Sequence, residues 1–277
     1  MPPTTLIQVP QWQGSGAPDA RRLSRGAEVL ASFVPSRRTV RVPVPDAEGV
    51  ERDGVRGLDA LVAVAAGTRA ALADTGPETV VTAGGDCGVE LEPVSAALAR
   101  HGERLAVVWF DAHGDLNTPA SSPSHAFHGM VLRTLLGEGR PELVPARPLR
   151  PGQVVLAGVR ALDPSEAAYV AEAGLARRTV AELTADPAAL VPAVSDTGAT
   201  AVYVHIDLDV LDPGEFGSLN HPEAGGLAVS TLRAAVRALT AAFTLAGLGI
   251  TEYAPRRDED RATLAGLVPA LLGEESR

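Results

Sequence analysis

Residues 104–117 read RLAVVWFDAHGDLN. Leu105 to Phe110 are apolar without interruption, and Asp111, His113 and Asp115 then follow at alternate positions. An apolar run with no alternation suits a strand buried on both faces, as in a parallel sheet covered by helices on either side. Residues 200–213, TAVYVHIDLDVLDP, repeat the pattern and end on Asp207 and Asp209.

Working outward, TLIQVP (5–10), ETVVTAGG (78–85), QVVLAGV (153–159) and LAGLGIT (245–251) are further short strand-like runs. Helical patterns fall between them at 58–75, 89–101 and 229–246. In the last, Leu232, Val236, Leu239 and Phe243 recur at helical spacing behind a Ser230/Thr231 start signal. This alternation predicts an α/β fold, a three-layer αβα domain with a mostly parallel sheet. No repeat or linker divides residues 1–277, so one domain is expected. Residues 35–57 are predicted to be a surface excursion, and 141–152 (PELVPARPLRPG) an exposed loop.

Composition narrows the function. A chain of 277 residues that is 45% hydrophobic can bury a full core. No apolar run approaches the roughly 18 residues of a membrane helix, so no membrane association is expected. The N-terminus, MPPTTLIQVP, lacks a basic segment followed by an apolar block, and Cys87 is the sole cysteine; both lead to the expectation of a cytoplasmic protein. All 24 basic residues are Arg, which removes lysine Schiff-base and P-loop chemistry. A net charge of −10 argues against nucleic acid and tolerates a cationic ligand.

Four strand candidates end in polar clusters: GGDC (84–87), DAHGDLN (111–117), HIDLDVLDP (205–213) and ITEY (250–253). The carboxyl ends of strands in an open parallel sheet face one crevice, so these clusters can meet. Alternate residues of an extended segment share a face, which would group Asp207 with Asp209, and Asp111 with His113 and Asp115. Four carboxylates in a partly dry cleft cannot all stay ionised without a cation. Two divalent ions, about 3.5–4 Å apart, relieve the repulsion and can activate water. Taken singly, Asp86 reads as a turn former, His128 as an ordinary histidine, and Glu252 as a partner for Arg256 or Arg257; the joint pattern favours chemistry.

In this order, GGD, DAHGD, the His128-Gly129 pair, DLDVLDP and the late Glu252 resemble the ureohydrolases, the arginases and agmatinases, over nearly the whole chain. The resemblance implies an arginase/deacetylase-type fold with about eight strands, two divalent metal ions, expected to be Mn²⁺, and a homo-oligomer. Matched residue by residue, it implies that Asp111 and Asp207 bridge the ions, that His113 and Asp209 complete one site, and that Asp115 belongs to the other. The remaining ligand of that second site is a histidine in the family and Cys87 here. Three explanations compete for Cys87: a soft metal ligand, which is favoured; an inert buried residue; or a nucleophile, which ranks last because it would leave the carboxylates superfluous.

The resemblance also implies a small-molecule guanidino amino acid as partner. Asn117, Ser124 and Asp163 would recognise its α-carboxylate and α-amine, and Glu252 its guanidinium. Asp115 would orient the attacking water while binding metal, and His128 would shuttle a proton to the leaving amine. Turn and cap chemistry is the competing reading for Asn117, Ser124 and Asp163. His221 stands near the reactive end, where arginases usually have Thr. With Cys87 this leads to an expected Nω-hydroxy-L-arginine amidinohydrolase, giving L-ornithine and hydroxyurea, similar to ureohydrolase relatives in D-cycloserine biosynthesis. The rivals are an ordinary arginase, another ureohydrolase such as an agmatinase, a non-catalytic metal-dependent binding protein and a cysteine-dependent enzyme.

Overall fold

The computed structural model describes residues 4–76 and 78–274. Eight strands form one sheet: β1 (Thr4–Val9), β2 (Arg38–Arg41), β3 (Thr79–Gly84), β4 (Leu105–Phe110), β5 (Val154–Ala157), β6 (Ala176–Arg178), β7 (Ala201–Asp207) and β8 (Thr244–Thr251). Their order is β2-β1-β3-β8-β7-β4-β5-β6, and every neighbouring pair is parallel.

The helices form the outer layers. On one face, α1 (Arg22–Phe33), α6 (Val180–Ala185), α7 (Leu190–Ser195), α8 (Val229–Ala242) and α9 (Asp258–Leu271) cover Ala106, Val108, Phe110, Val202, Val204 and Ile206. On the other, α2 (Leu58–Ala73), α3 (Leu91–His101), α4 (Val131–Leu135) and α5 (Pro164–Ala173) cover Leu105, Val107, Trp109, Ala201 and Tyr203. Successive β4 side chains thus enter opposite cores, and each large one contributes about 1.5–3 kcal/mol by leaving water. His205 and Asp207 are buried in line with Tyr203 on β7, where the apolar pattern would have placed hydrophobic residues.

Three expectations need correction. Residues 35–57 are not wholly an excursion, because Arg38–Arg41 pair in register with Thr5–Gln8 as edge strand β2. Its sequence, RTVR, is largely exposed and lacks the apolar signal that marks interior strands. The helix expected to reach 246 ends at Ala242, since Phe243 closes it onto the Leu239 carbonyl and β8 begins at Thr244. Ser230 and Thr231 do not cap it either: Ala228 is the N-cap, and the Val229 N–H donates to Glu215 (2.9 Å).

Strands β3, β8, β7 and β4 are neighbours at the centre of the sheet. The four polar clusters are the carboxyl ends of these four strands, so the topology itself assembles the site.

Candidate active site and metal centre

The turn after β3 is built by close backbone approach. A Cβ on Gly85 would stand 1.7 Å from the Gln11 carbonyl oxygen, so no larger residue fits there. The buried Asp86 carboxylate accepts hydrogen bonds from Gln11 Nε2, the Gly14 N–H and the Gly88 N–H, each at 2.9 Å. Asp86 is therefore a structural anchor that ties the loop after β1 to the 3₁₀ turn Cys87–Glu90. Cys87 is buried, with Sγ 3.1 Å from Thr251 Oγ1, 3.2 Å from Asp207 Oδ2 and 3.6 Å from His205 Nε2. Its backbone N–H donates to Glu252 Oε1 (3.2 Å).

Asp111, His113 and Asp115 do not lie on one extended segment. Strand β4 ends at Phe110, and Asp115 takes a left-handed backbone, φ 54°. β7 likewise gives way to a 3₁₀ turn at Leu208–Val210. The side chains still converge, because backbone amides hold the carboxylates. His113 N–H donates to Asp111 Oδ1 (2.6 Å), Ala112 N–H to Asp209 Oδ1 (3.0 Å), and Asp209 N–H to Asp207 Oδ1 (2.7 Å). Glu252 also has a positive φ, 61°, a costly conformation that clusters at functional sites.

Possible ligand atoms fall into three compact sets: Asp111, His113 and Asp209; Cys87, Asp207 and Glu252; and Cys87, Asp111, Asp115 and His205. Within each set, one donor atom per residue lies within 4.8 Å of all the others. His113 Nδ1 is 3.0 Å from Asp209 Oδ2. Buried Asp115 Oδ2 and Glu252 Oε2 have no hydrogen-bond partner. Orphaned carboxylate oxygens within a ring of carboxylates and imidazoles fit divalent cations, with Cys87 the one soft donor.

Electrostatics point the same way. Burial, then the neighbouring charges of Asp209 and Asp111, pushes the Asp207 carboxyl well above the usual range. Burial and Asp111 do the same to Asp115. The Cys87 thiol is pushed up by burial and then by Asp207, which disfavours a free thiolate nucleophile. His113 is carried up to about 12: burial opposes its charge, but hydrogen bonds to Asp111 and Asp209 outweigh it. Without a cation the cluster collects protons.

Above the cluster lies a cleft of about 390 Å³, lined by His113, Asp115, Asn117, Ser122, Ser124, His128, Asp163, His221 and Glu223 among others. Asn117 Nδ2 donates to Asp163 Oδ2 (2.8 Å), and buried Glu166 accepts from the Leu116 and Asp163 N–H groups (2.9 Å each). Asp163 is also the residue that starts α5, so cap and cleft positions coincide. Ser124 is exposed at the rim. His221 is partly buried, its ring 5.0 Å from that of His128 and 6.3 Å from that of His113. His128 Nδ1 is 3.3 Å from Glu252 Oε1. Arg256 pairs with Asp19 and Arg257 with Asp260, rather than with Glu252.

Sequence reasoning missed His205, Glu90, Glu166 and Glu223. His205 could have been found, since it precedes Asp207 by two positions on a strand. Glu166, Glu90 and Glu223 carry no such local signal.

The arginase family model matches residues 15–272. The arginase of Bacillus caldovelox is 35% identical over 200 residues, 69% of this chain and 66% of that enzyme, so the aligned stretch spans about two thirds of the relative's length. The native structure of that arginase superposes with a TM-score of 0.85 at 26% identity, covering 100% of both chains. Entamoeba histolytica arginase, solved in complex with L-ornithine, has the same fold, with a TM-score of 0.87 at 21% identity over 99% of each chain. With its acidic cluster at the ends of the four central strands and a family match over nearly its whole length, the chain belongs to the arginase family.

Proposed function

We propose that the protein is an amidinohydrolase that cleaves the guanidino-type group of a free L-amino acid, with Nω-hydroxy-L-arginine as substrate and L-ornithine and hydroxyurea as products. The carrying observation is Cys87, a thiol 3.2 Å from Asp207 Oδ2 inside an otherwise carboxylate and imidazole cluster.

Asp111, His113, Asp207 and Asp209 would hold one divalent ion, and Asp111, Asp115, Asp207 and Cys87 a second, with Mn²⁺ the proposed metal. Bound there, such ions supply Lewis acidity that brings a water from a pKa of ~15.7 toward neutrality. A thiolate donor is negative where an imidazole is neutral, so it weakens that acidification and suits manganese poorly. A weakly activated water needs a readily attacked carbon. Arginine's guanidinium stays protonated, with a pKa above ~12. An N-hydroxyguanidine is less basic, so more of it is neutral and electrophilic at pH 7.

The chain's own groups cover the remaining steps. The Asn117–Asp163 pair and Ser124 take the α-amino and α-carboxylate end. A substrate without the α-carboxylate, such as agmatine, leaves polar groups unpaired and is disfavoured. Glu252, whose Oε2 has no partner, accepts guanidino N–H groups. His128, partly buried and with its pKa lowered by burial, delivers a proton to the departing δ-nitrogen of ornithine. His221 packs against His128 beside the reacting group.

A second reading, hydrolysis of L-arginine to ornithine and urea, is favoured by the names of the relatives. Kinetics on both substrates, with manganese-loaded wild type and Cys87→His, separate the two. The proposal expects wild type to prefer the hydroxylated substrate and Cys87→His to gain arginase activity. Robust turnover of arginine with none of hydroxyarginine overturns it.

A further inference from the structure

We propose that His205 is a metal-binding residue of this centre, reaching the ion beside Cys87 from the middle of β7, with Glu90 as the positioning carboxylate on its other ring nitrogen. The inference rests on the binuclear metal reading above.

His205 is fully buried, and its Nε2 faces Cys87 Sγ at 3.6 Å. A ring nitrogen of His205, Cys87 Sγ and carboxylate oxygens of Asp111 and Asp115 lie within 4.8 Å of one another. Donors about 2.0–2.3 Å from a common ion stand roughly 3.3–3.8 Å apart, so a small contraction closes the set. Asp115, a member of this set, has its Oδ2 buried with no hydrogen-bond partner.

On the far side of the ring, His205 Nδ1 is 3.4 Å from Glu90 Oε2, and both residues are fully buried. Yet Nδ1 and both Glu90 oxygens lack a partner that meets hydrogen-bond geometry. Burying an unpaired carboxylate is costly, and the buried Tyr203 hydroxyl beside it can engage only one of its two oxygens, so a purely structural histidine leaves Glu90 incompletely explained. A ligating imidazole that donates its second N–H to a carboxylate resolves both, because the carboxylate fixes the tautomer and strengthens the ligand.

The neighbouring strands are shaped around this pair. Gly249, paired with His205 across β7 and β8, leaves the space that Glu90 fills; a Cβ there would stand 2.1 Å from Glu90 Oε2. Trp109, paired with His205 from β4, stacks on the imidazole with ring centroids 3.6 Å apart and 23° between planes. The same indole donates to Asp111 Oδ2 (3.1 Å), so one side chain orients two donors of the set.

The test is Co²⁺ binding to metal-stripped full-length protein by calorimetry and elemental analysis. The thiolate-to-cobalt absorption marks the ion beside Cys87. Wild type is expected to take two ions per chain. His205→Gln should retain one and bind the other at least ~10-fold more weakly, with the thiolate band displaced to higher Co²⁺. Glu90→Gln, which leaves the imidazole in place, should weaken the same ion by about 10–100-fold. If His205→Gln fails to fold in EDTA, judged by circular dichroism, the Glu90→Gln titration carries the test. Two ions at wild-type affinity in whichever variants fold overturns the role of His205. Wild type that binds no divalent ion overturns the binuclear reading as well, whereas substrate preference bears on neither result.

Discussion

Stripping the protein of divalent ions should make its folding stability fall as pH rises from 6.5 to 8, the reverse of what ion-loaded protein does. In the ion-free chain, burial pushes the Glu252 carboxyl from 4.5 up to about 8, with His221 offsetting and Asp209 adding to the shift. His113, against the effect of burial, is carried from 6.5 to about 12 by Asp111 and Asp209. Both folded values exceed the unfolded ones. The stability that each contributes is therefore fully present below the unfolded pKa and is lost as pH rises through the folded pKa. Burial shifts His128 and His221 downward, so their contribution is lost on the acid side of 6.5 and leaves this window largely free. One extra proton on folded Glu252 is worth about 1.4 kcal/mol per pH unit, or about 2 kcal/mol over the interval. His113, whose side chain is 31% exposed and so partly screened, adds about 1 kcal/mol. These two groups alone give about 3 kcal/mol, a fall of roughly 6 °C in Tm for a chain of this size. The raised carboxyls of Asp207 and Asp115 act in the same direction, so the fall should be at least that large. Differential scanning fluorimetry in EDTA measures it directly. With saturating Mn²⁺ the slope should invert, because acid protonates the ligands and releases the ions. A Tm in EDTA that is flat or rises between pH 6.5 and 8 refutes the electrostatic account of the cluster.

Replacing Asp163 with Ala removes the acceptor of the Asn117 amide at 2.8 Å and should raise KM for an amino-acid substrate by about 10–100-fold, the loss of one charge-assisted hydrogen bond. Steady-state kinetics should show kcat little changed, and an unchanged KM would remove Asp163 from recognition. Gly85→Ala forces a Cβ to within 1.7 Å of the Gln11 carbonyl oxygen and should destabilise the fold by about 3 kcal/mol or more. A urea midpoint equal to wild type would contradict that packing.

Legibility in the sequence tracked the range of the interactions involved. Interior strands such as LAVVWF are buried on both faces, so their residues alone announce them. Edge strands β2 and β6, RTVR and ARR, present arginines outward, and only pairing with β1 and β5 defines them. The site followed the same division. The convergence of Asp111, His113, Asp115, Asp207 and Asp209 was legible because they cluster at strand ends, although the extended-face argument for it fails, since both strands end before the last ligand candidates. What gathers them is a mesh of backbone amides from Ala112, His113 and Asp209, which no side-chain pattern encodes. Glu90 and His205 stand 115 positions apart in sequence, and they meet only because β3 and β7 flank β8 and Gly249 leaves the intervening space open. Neither residue type distinguishes itself from a core histidine or a helix-start glutamate until the sheet order is known. A buried carboxylate with both oxygens unpaired is the mark that separates them, and it exists only in three dimensions.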